Sequence, residues 1–169
     1  MNNRQQCWWQ QARSDLAAWL LLRRHGADPC HQLHYLQMVT EKLSKAYLWG
    51  SGTPPKKSHV GFGRFMRLLL QVPRSQRQQR IATIFGFRRF RDFESWTRTA
   101  LPLVYALERL APDLAGDGPN PEYPWPHADP EFVPATFEFD VWRELTETGR
   151  GRQLTQVIKT AVDQFPTYA

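Results

Sequence analysis

The chain has 169 residues, 41% of them hydrophobic and seven of them tryptophan, which is enough for one domain with a sizeable core. No run of about eighteen apolar residues occurs, which excludes a helix that spans a membrane, and the start, MNNRQQCWWQQARSDL, lacks the apolar stretch of a signal peptide. The net charge is +6, and the two cysteines, Cys7 and Cys30, lack zinc-ligand spacing, so they read as two buried thiols of a cytoplasmic protein.

The predicted elements are all helices. Over residues 5 to 24, Trp9, Ala12, Leu16, Trp19 and Arg23 recur at helical spacing, with Leu20 widening the stripe. Gly26 suits the end of that helix, and Asp28-Pro29 suits the start of the next. The second helix runs to about Trp49 on a seam of Leu33, Leu36, Thr40, Leu43 and Tyr47. So short a connection predicts an antiparallel pair. Gly50 to Pro55 is a breaker. A third helix, about 61 to 71, should bury Phe62, Phe65, Met66 and Leu69 and stop at Pro73. Ser75 then caps a shorter helix carrying Ile81, Ile84 and Phe85. From Asp92 to Leu110 a pattern runs through Phe93, Trp96, Ala100, Val104, Leu107 and Leu110, with a kink or break expected at Pro102.

Residues 112 to 136 hold seven prolines, a density that forbids a helix interior or a central strand. Tyr123, Trp125 and Phe132 suggest that this loop packs back on the bundle. A short helix near 140 to 148 precedes the most regular one, with Leu154, Val157, Ile158, Ala161, Val162 and Phe165 on one side. The expected architecture is an all-α, up-down bundle of four to five main helices, in one domain over residues 1 to 169, with a Pro-rich loop before the C-terminal helix.

Charge is distributed unevenly. Lys42, Lys45, Lys56, Lys57, Arg64, Arg67, Arg74, Arg77, Arg80, Arg88, Arg89 and Arg91 occur in a stretch without a single acid. From Asp92 to Gly149 there are twelve acids and three arginines. Such a basic block attracts phosphates through its summed field and through counterion release, unless it folds against the acidic half and neutralises itself. Arg74, Arg77 and Arg80 recur every third residue. Arg88, Arg89 and Arg91 interleave with Phe87, Phe90 and Phe93, whose rings read as core while the guanidinium groups face water. His59, with Lys56 and Lys57 before it and Arg64 after it, could move a proton beside a held phosphate. The competing reading is that Ser58-His59 merely begins the third helix. Glu41 and Lys45 stand four apart in the order that supports a helix. Nothing in the sequence points to a cofactor, a metal or a Gly-rich phosphate loop; Gly61-Phe62-Gly63 is too short for one.

Three features, Asp15-Leu16, then Glu41-Lys42-Leu43 with Lys45-Ala46, then Tyr105, Arg109 and Ala111-Pro112-Asp113, come in an order that resembles the HEPN family of small helical domains, over about residues 5 to 165. The resemblance implies a helical bundle that often dimerises and associates with RNA or nucleotides. Some relatives are metal-independent ribonucleases or toxins of prokaryotic defence and toxin–antitoxin systems, and others sit beside nucleotidyltransferases without cutting. The nucleases carry an arginine, four to six residues and then a histidine late in the bundle. No histidine lies between His59 and His127 here, and Arg24 with His31, at the first interhelix turn, is the match by spacing. The expectation is therefore a non-catalytic domain that binds RNA, a nucleotide or an acidic protein through its Arg/Lys-rich middle. The alternatives are a ribonuclease using His59 or the Arg24–His31 pair, and an oligomeric assembly subunit whose basic and acidic halves meet across chains.

Overall fold

The structure, a computed structural model, describes residues 1–50, 61–73, 76–125 and 132–169. It is an all-α bundle, and no strand occurs among the described residues. Helix α1, Asn3–Arg24, opens on a reciprocal cap: the Asn2 side chain accepts the Gln5 N–H at 2.9 Å, and the Gln5 side chain accepts the Asn2 N–H at 3.0 Å. It ends where Gly26 adopts a φ of 64° and the Ala27 N–H returns to the Leu22 carbonyl at 3.0 Å. Helix α2, Pro29–Gly50, then runs back along α1.

The first helix buries Ala12, Leu16 and Trp19 as its spacing predicts, but Leu20 is 38% exposed. Asp15 is buried instead, accepting a hydrogen bond from the Gln11 side chain at 2.8 Å. Cys7 is exposed and only Cys30 is buried, so the expectation of two buried thiols fails for Cys7. The predicted α2 seam is buried apart from Tyr47, which is half-buried, and Val39, Ala46 and Leu48 are buried as well. The reason is position: α2 touches α1 and also the third, fifth and eighth helices, so more than one of its sides is covered.

Helix α3, Phe62–Leu70, buries Phe62, Phe65, Met66 and Leu69. Helix α4, Gln76–Ile84, is anchored by Ile81 and Ala82. Helix α5, Phe90–Glu108, runs through Pro102 without a break. Proline cannot donate to the Arg98 carbonyl, but Arg98, Thr99 and Pro102 are all exposed, so the affected turn faces solvent. There Arg150 donates to the Thr99 carbonyl at 3.3 Å.

Within the Pro-rich region lie a short helix, α6, Pro112–Ala115, and a 3-10 turn, Pro134–Thr136. Trp125 and Phe132 form an isolated antiparallel bridge, exchanging backbone hydrogen bonds of 3.2 and 3.3 Å. Trp125 is buried edge-on against Phe137, with ring centroids 5.0 Å apart. Tyr123 is 60% exposed, so Trp125 and not Tyr123 anchors this region. Helices α7, Asp140–Glu147, and α8, Gly149–Asp163, meet at Thr148, whose side chain accepts the Gly151 N–H at 2.9 Å. A Cβ on Gly151 would lie 2.0 Å from the Glu144 carbonyl oxygen, so only glycine permits this approach. The last helix, α9, Phe165–Tyr168, seals the core with Phe165 and Tyr168.

Candidate anion-binding cleft

The best-formed arrangement of cationic and polar groups lies where α4 meets α9. Alternate faces of α4 do different work. Ile81 and Ala82 turn into the core, while Arg77 and Arg80, one helical turn apart, remain exposed. The Gln78 side chain fixes the helix at one end by donating to the Val72 carbonyl at 3.1 Å, and Gln79 donates to the Arg88 carbonyl at 2.9 Å. Opposite stands a cluster of rings. The Tyr168 hydroxyl donates to the Ala161 carbonyl at 2.7 Å, and its ring centroid lies 5.6 Å from those of Phe85 and Phe165.

Between α4 and α9 lies a cleft of about 440 Å³, lined by Gln76, Arg77, Arg80, Ile81, Thr167, Tyr168 and Ala169. A second cleft of about 360 Å³ shares Arg77 and Ala169 with it and adds Gln5, Tyr47 and Gly50. Gln5 reaches that place because the α1 cap holds it and because Gly50 has no Cβ; one built there would sit 2.1 Å from the Gln5 amide nitrogen. Burial pushes the Tyr168 hydroxyl well above its ordinary pKa, so it stays neutral. Burial also pushes the Tyr47 hydroxyl up, and the charge of Arg77 opposes that shift, which places Arg77 within electrostatic reach of Tyr47. Two guanidinium groups with the Gln76 amide beside them form a set of donors suited to an oxyanion such as phosphate, while the Thr167 and Tyr168 hydroxyls donate to the Gln164 and Ala161 carbonyls.

The rest of the basic block does different things. Arg67 donates to the Tyr105 hydroxyl at 2.9 Å and lies 5.8 Å from its ring. Arg89 forms a two-pronged pair with Asp92, both hydrogen bonds 3.0 Å long, which lowers the Asp92 carboxyl and raises the Arg89 guanidinium. Lys42 and Lys45 both pair with the buried Glu41, and Lys45 also lies over the Trp8 ring at 4.9 Å. Arg64, Arg88 and Arg91 are exposed. Phe93 is buried and Phe87 and Phe90 are half-buried, all three packed together with Trp96, so these rings are core while the arginines between them face water. Lys56, Lys57, His59 and Arg74 lie outside the described residues. Arg24 ends α1 and His31 sits in the first turn of α2; both are exposed, and no hydrogen bond or ion pair joins them among the described residues.

The start of α3 holds the main surprise. Its N-cap is Gly61, and Ser58 lies outside the described residues. The cap comes from α5: the buried Glu108 carboxylate accepts the Gly61 N–H at 2.9 Å and the Gly63 N–H at 3.0 Å. Gly61-Phe62-Gly63 is therefore an anion cradle whose anion belongs to the same chain. Gly63 also lets the Tyr105 ring close in, since a Cβ there would lie 2.3 Å from it. Sequence reasoning missed Glu108, although an acid four residues after Val104 and next to Leu107, on the buried side of α5, signals a carboxylate that needs donors. The cleft residues Gln5, Thr167 and Tyr168 gave no such signal, because they come from opposite ends of the chain. Among the described residues no cluster of His, Cys, Asp and Glu could hold a metal ion, and no helix is long and apolar enough to cross a membrane.

Comparison with family models, with curated proteins and with solved structures gave no match to this chain.

Proposed function

We propose that the protein is a HEPN-like helical domain that binds the phosphates of RNA or of a nucleotide at the α4–α9 cleft. The observation that carries this reading is that Arg77 and Arg80 line one open cleft of about 440 Å³. Arginine forks match phosphate oxygens in pairs. Arg88 and Arg91, exposed at the α4–α5 turn, extend the positive field towards a longer strand. The same reading makes the domain a non-catalytic, cytoplasmic homodimer acting in a prokaryotic defence or toxin–antitoxin module, where the partner beside it would be RNA or an acidic protein such as a nucleotidyltransferase.

The test is fluorescence anisotropy with a labelled single-stranded RNA across a salt series, with cleavage followed in the same samples. The expected result is binding that weakens steeply with salt and no cleavage. The double variant Arg77→Gln, Arg80→Gln should bind about tenfold or more weakly, with a log–log salt slope shallower by roughly 1.4 if each arginine meets one phosphate. Helicity by circular dichroism should be unchanged, because both side chains are exposed. Equal binding by the double variant and the unaltered protein would refute the cleft. A salt-sensitive complex with an acidic protein, and none with RNA, would favour the acidic-partner reading.

A further inference from the structure

A second groove, separate from the arginine cleft, opens between the end of α5, α6 and the first turn of α7. Its volume is about 380 Å³, within the range of small-molecule sites. Its walls are mainly apolar. Leu110 and Phe139 are buried at its base, and Phe137 is half-buried beside them. The ring of Phe137 is held edge-on by Trp125 and by Phe139, both with centroids 5.0 Å away, so this wall is rigid before anything binds. Leu114 stands at the rim, 40% exposed, although it projects from a helix that could have placed it inward.

Two features make the groove selective for one sign of charge. Arg109 lines it, is exposed, and forms no hydrogen bond or ion pair with an acid among the described residues. Asp140, the acid at the same groove, is engaged by Arg143. The combination is an apolar slot with one uncommitted guanidinium at its edge.

We propose that this groove binds an amphipathic monocarboxylate, an acyl or arylalkyl acid whose hydrocarbon tail lies between Leu110, Leu114 and Phe137 while its carboxylate pairs with Arg109. Burial of the tail supplies affinity, and the fork of Arg109 supplies the preference for an acid.

The experiment titrates the full chain with decanoate below its micellar range, by calorimetry and by tryptophan fluorescence, since Trp125 packs directly on the wall. Decanol and decylamine serve as uncharged and cationic controls. Decanoate should bind at a single site, with decanol about tenfold or more weaker and decylamine weaker still. Arg109→Gln should weaken decanoate by about the same factor and leave decanol unchanged. Leu114→Asp should weaken both acid and alcohol, and Arg23→Gln, on α1, should change nothing. Absence of decanoate binding at millimolar concentration overturns the proposal. So does equal affinity for the three probes, or full retention by Arg109→Gln, because either result means unspecific adsorption of the tail. Arg77→Gln with Arg80→Gln should leave decanoate binding intact, so this outcome stands apart from that of the phosphate cleft.

Discussion

Replacing Glu108 by alanine removes the acceptor for two buried backbone N–H groups, those of Gly61 and Gly63, at 2.9 and 3.0 Å. Each N–H left without a partner costs about 1–3 kcal/mol. Water entering the space vacated by the side chain recovers part of this, so the expected loss is about 3–4 kcal/mol. Glu108→Gln keeps an amide oxygen able to accept both bonds but gives up their charge assistance. The difference between charged and neutral hydrogen bonds sets that loss at about 1–2 kcal/mol. Urea unfolding followed by far-ultraviolet circular dichroism measures both. The midpoint should fall in the order unaltered, Gln, Ala, with the slope against denaturant preserved. For a chain of this size the alanine variant should melt roughly 6–16 °C lower, at about 2–4 °C per kcal/mol. If Glu108→Ala lies within about 1 kcal/mol of the unaltered protein, the carboxylate does not cap α3, and the account of Gly61-Phe62-Gly63 as a filled anion cradle fails.

Three further substitutions probe other joints. Gly151→Ala would push a methyl group into the Glu144 carbonyl, which no side-chain rotation relieves, so α7 and α8 must separate at a cost of about 3 kcal/mol or more, read from the urea midpoint. Pro102→Ala should stabilise the protein by about 1 kcal/mol or more, because alanine restores a donor inside α5 and is the better helix former; a fall in the urea midpoint would mean that α5 depends on the proline. Tyr168 stays protonated in the folded state above its ordinary value of 10.0, while in the unfolded chain it ionises there. The unfolded state then binds fewer protons than the folded one, so stability is fully present below pH 10 and falls as pH rises beyond it. Tyr168→Phe should remove part of that alkaline decline in urea midpoints measured from pH 8 to 11, and should cost about 1 kcal/mol at neutral pH for the lost bond to Ala161.

The helices were legible because periodicity is a local signal. Phe62, Phe65, Met66 and Leu69, and likewise Leu154, Val157, Ile158, Ala161 and Val162, are buried as their spacing requires. What failed locally failed for tertiary reasons. Leu20 points away from α2, and a half-turn further round Asp15 is buried with a Gln11 partner that makes the burial tolerable. Pro102 reads as a breaker until the exposed setting of its turn and the donor from Arg150 are known, fifty-one positions along the chain from Thr99. The cleft was half legible. Arg77 and Arg80 stand out at their spacing, but the wall they face is supplied by Thr167 and Tyr168, and only the folded chain joins those segments.

The basic block, continuous in sequence, is divided in space into groups with different fates, and this bears on which arginines can act together. At about 0.1 M salt, charges more than about 10 Å apart in water scarcely feel one another. Arg77 and Arg80 are neighbours on one helix face, where side chains one turn apart lie roughly 5–6 Å apart, so their fields add at one point of the cleft. Arg89 spends its charge on Asp92, and Arg67 is turned onto Tyr105. At the start of α3 the chain has placed a carboxylate on the very N–H groups that an incoming phosphate would need. The fold thus closes one anion position from within, while Arg77 and Arg80 line a cleft on α4. Arg64, on α3, should therefore matter less to RNA binding than either Arg77 or Arg80. In the salt-series assay Arg64→Gln should lower affinity by no more than about twofold, whereas a loss matching that of Arg80→Gln would mean that the strand follows the whole basic surface and not the cleft.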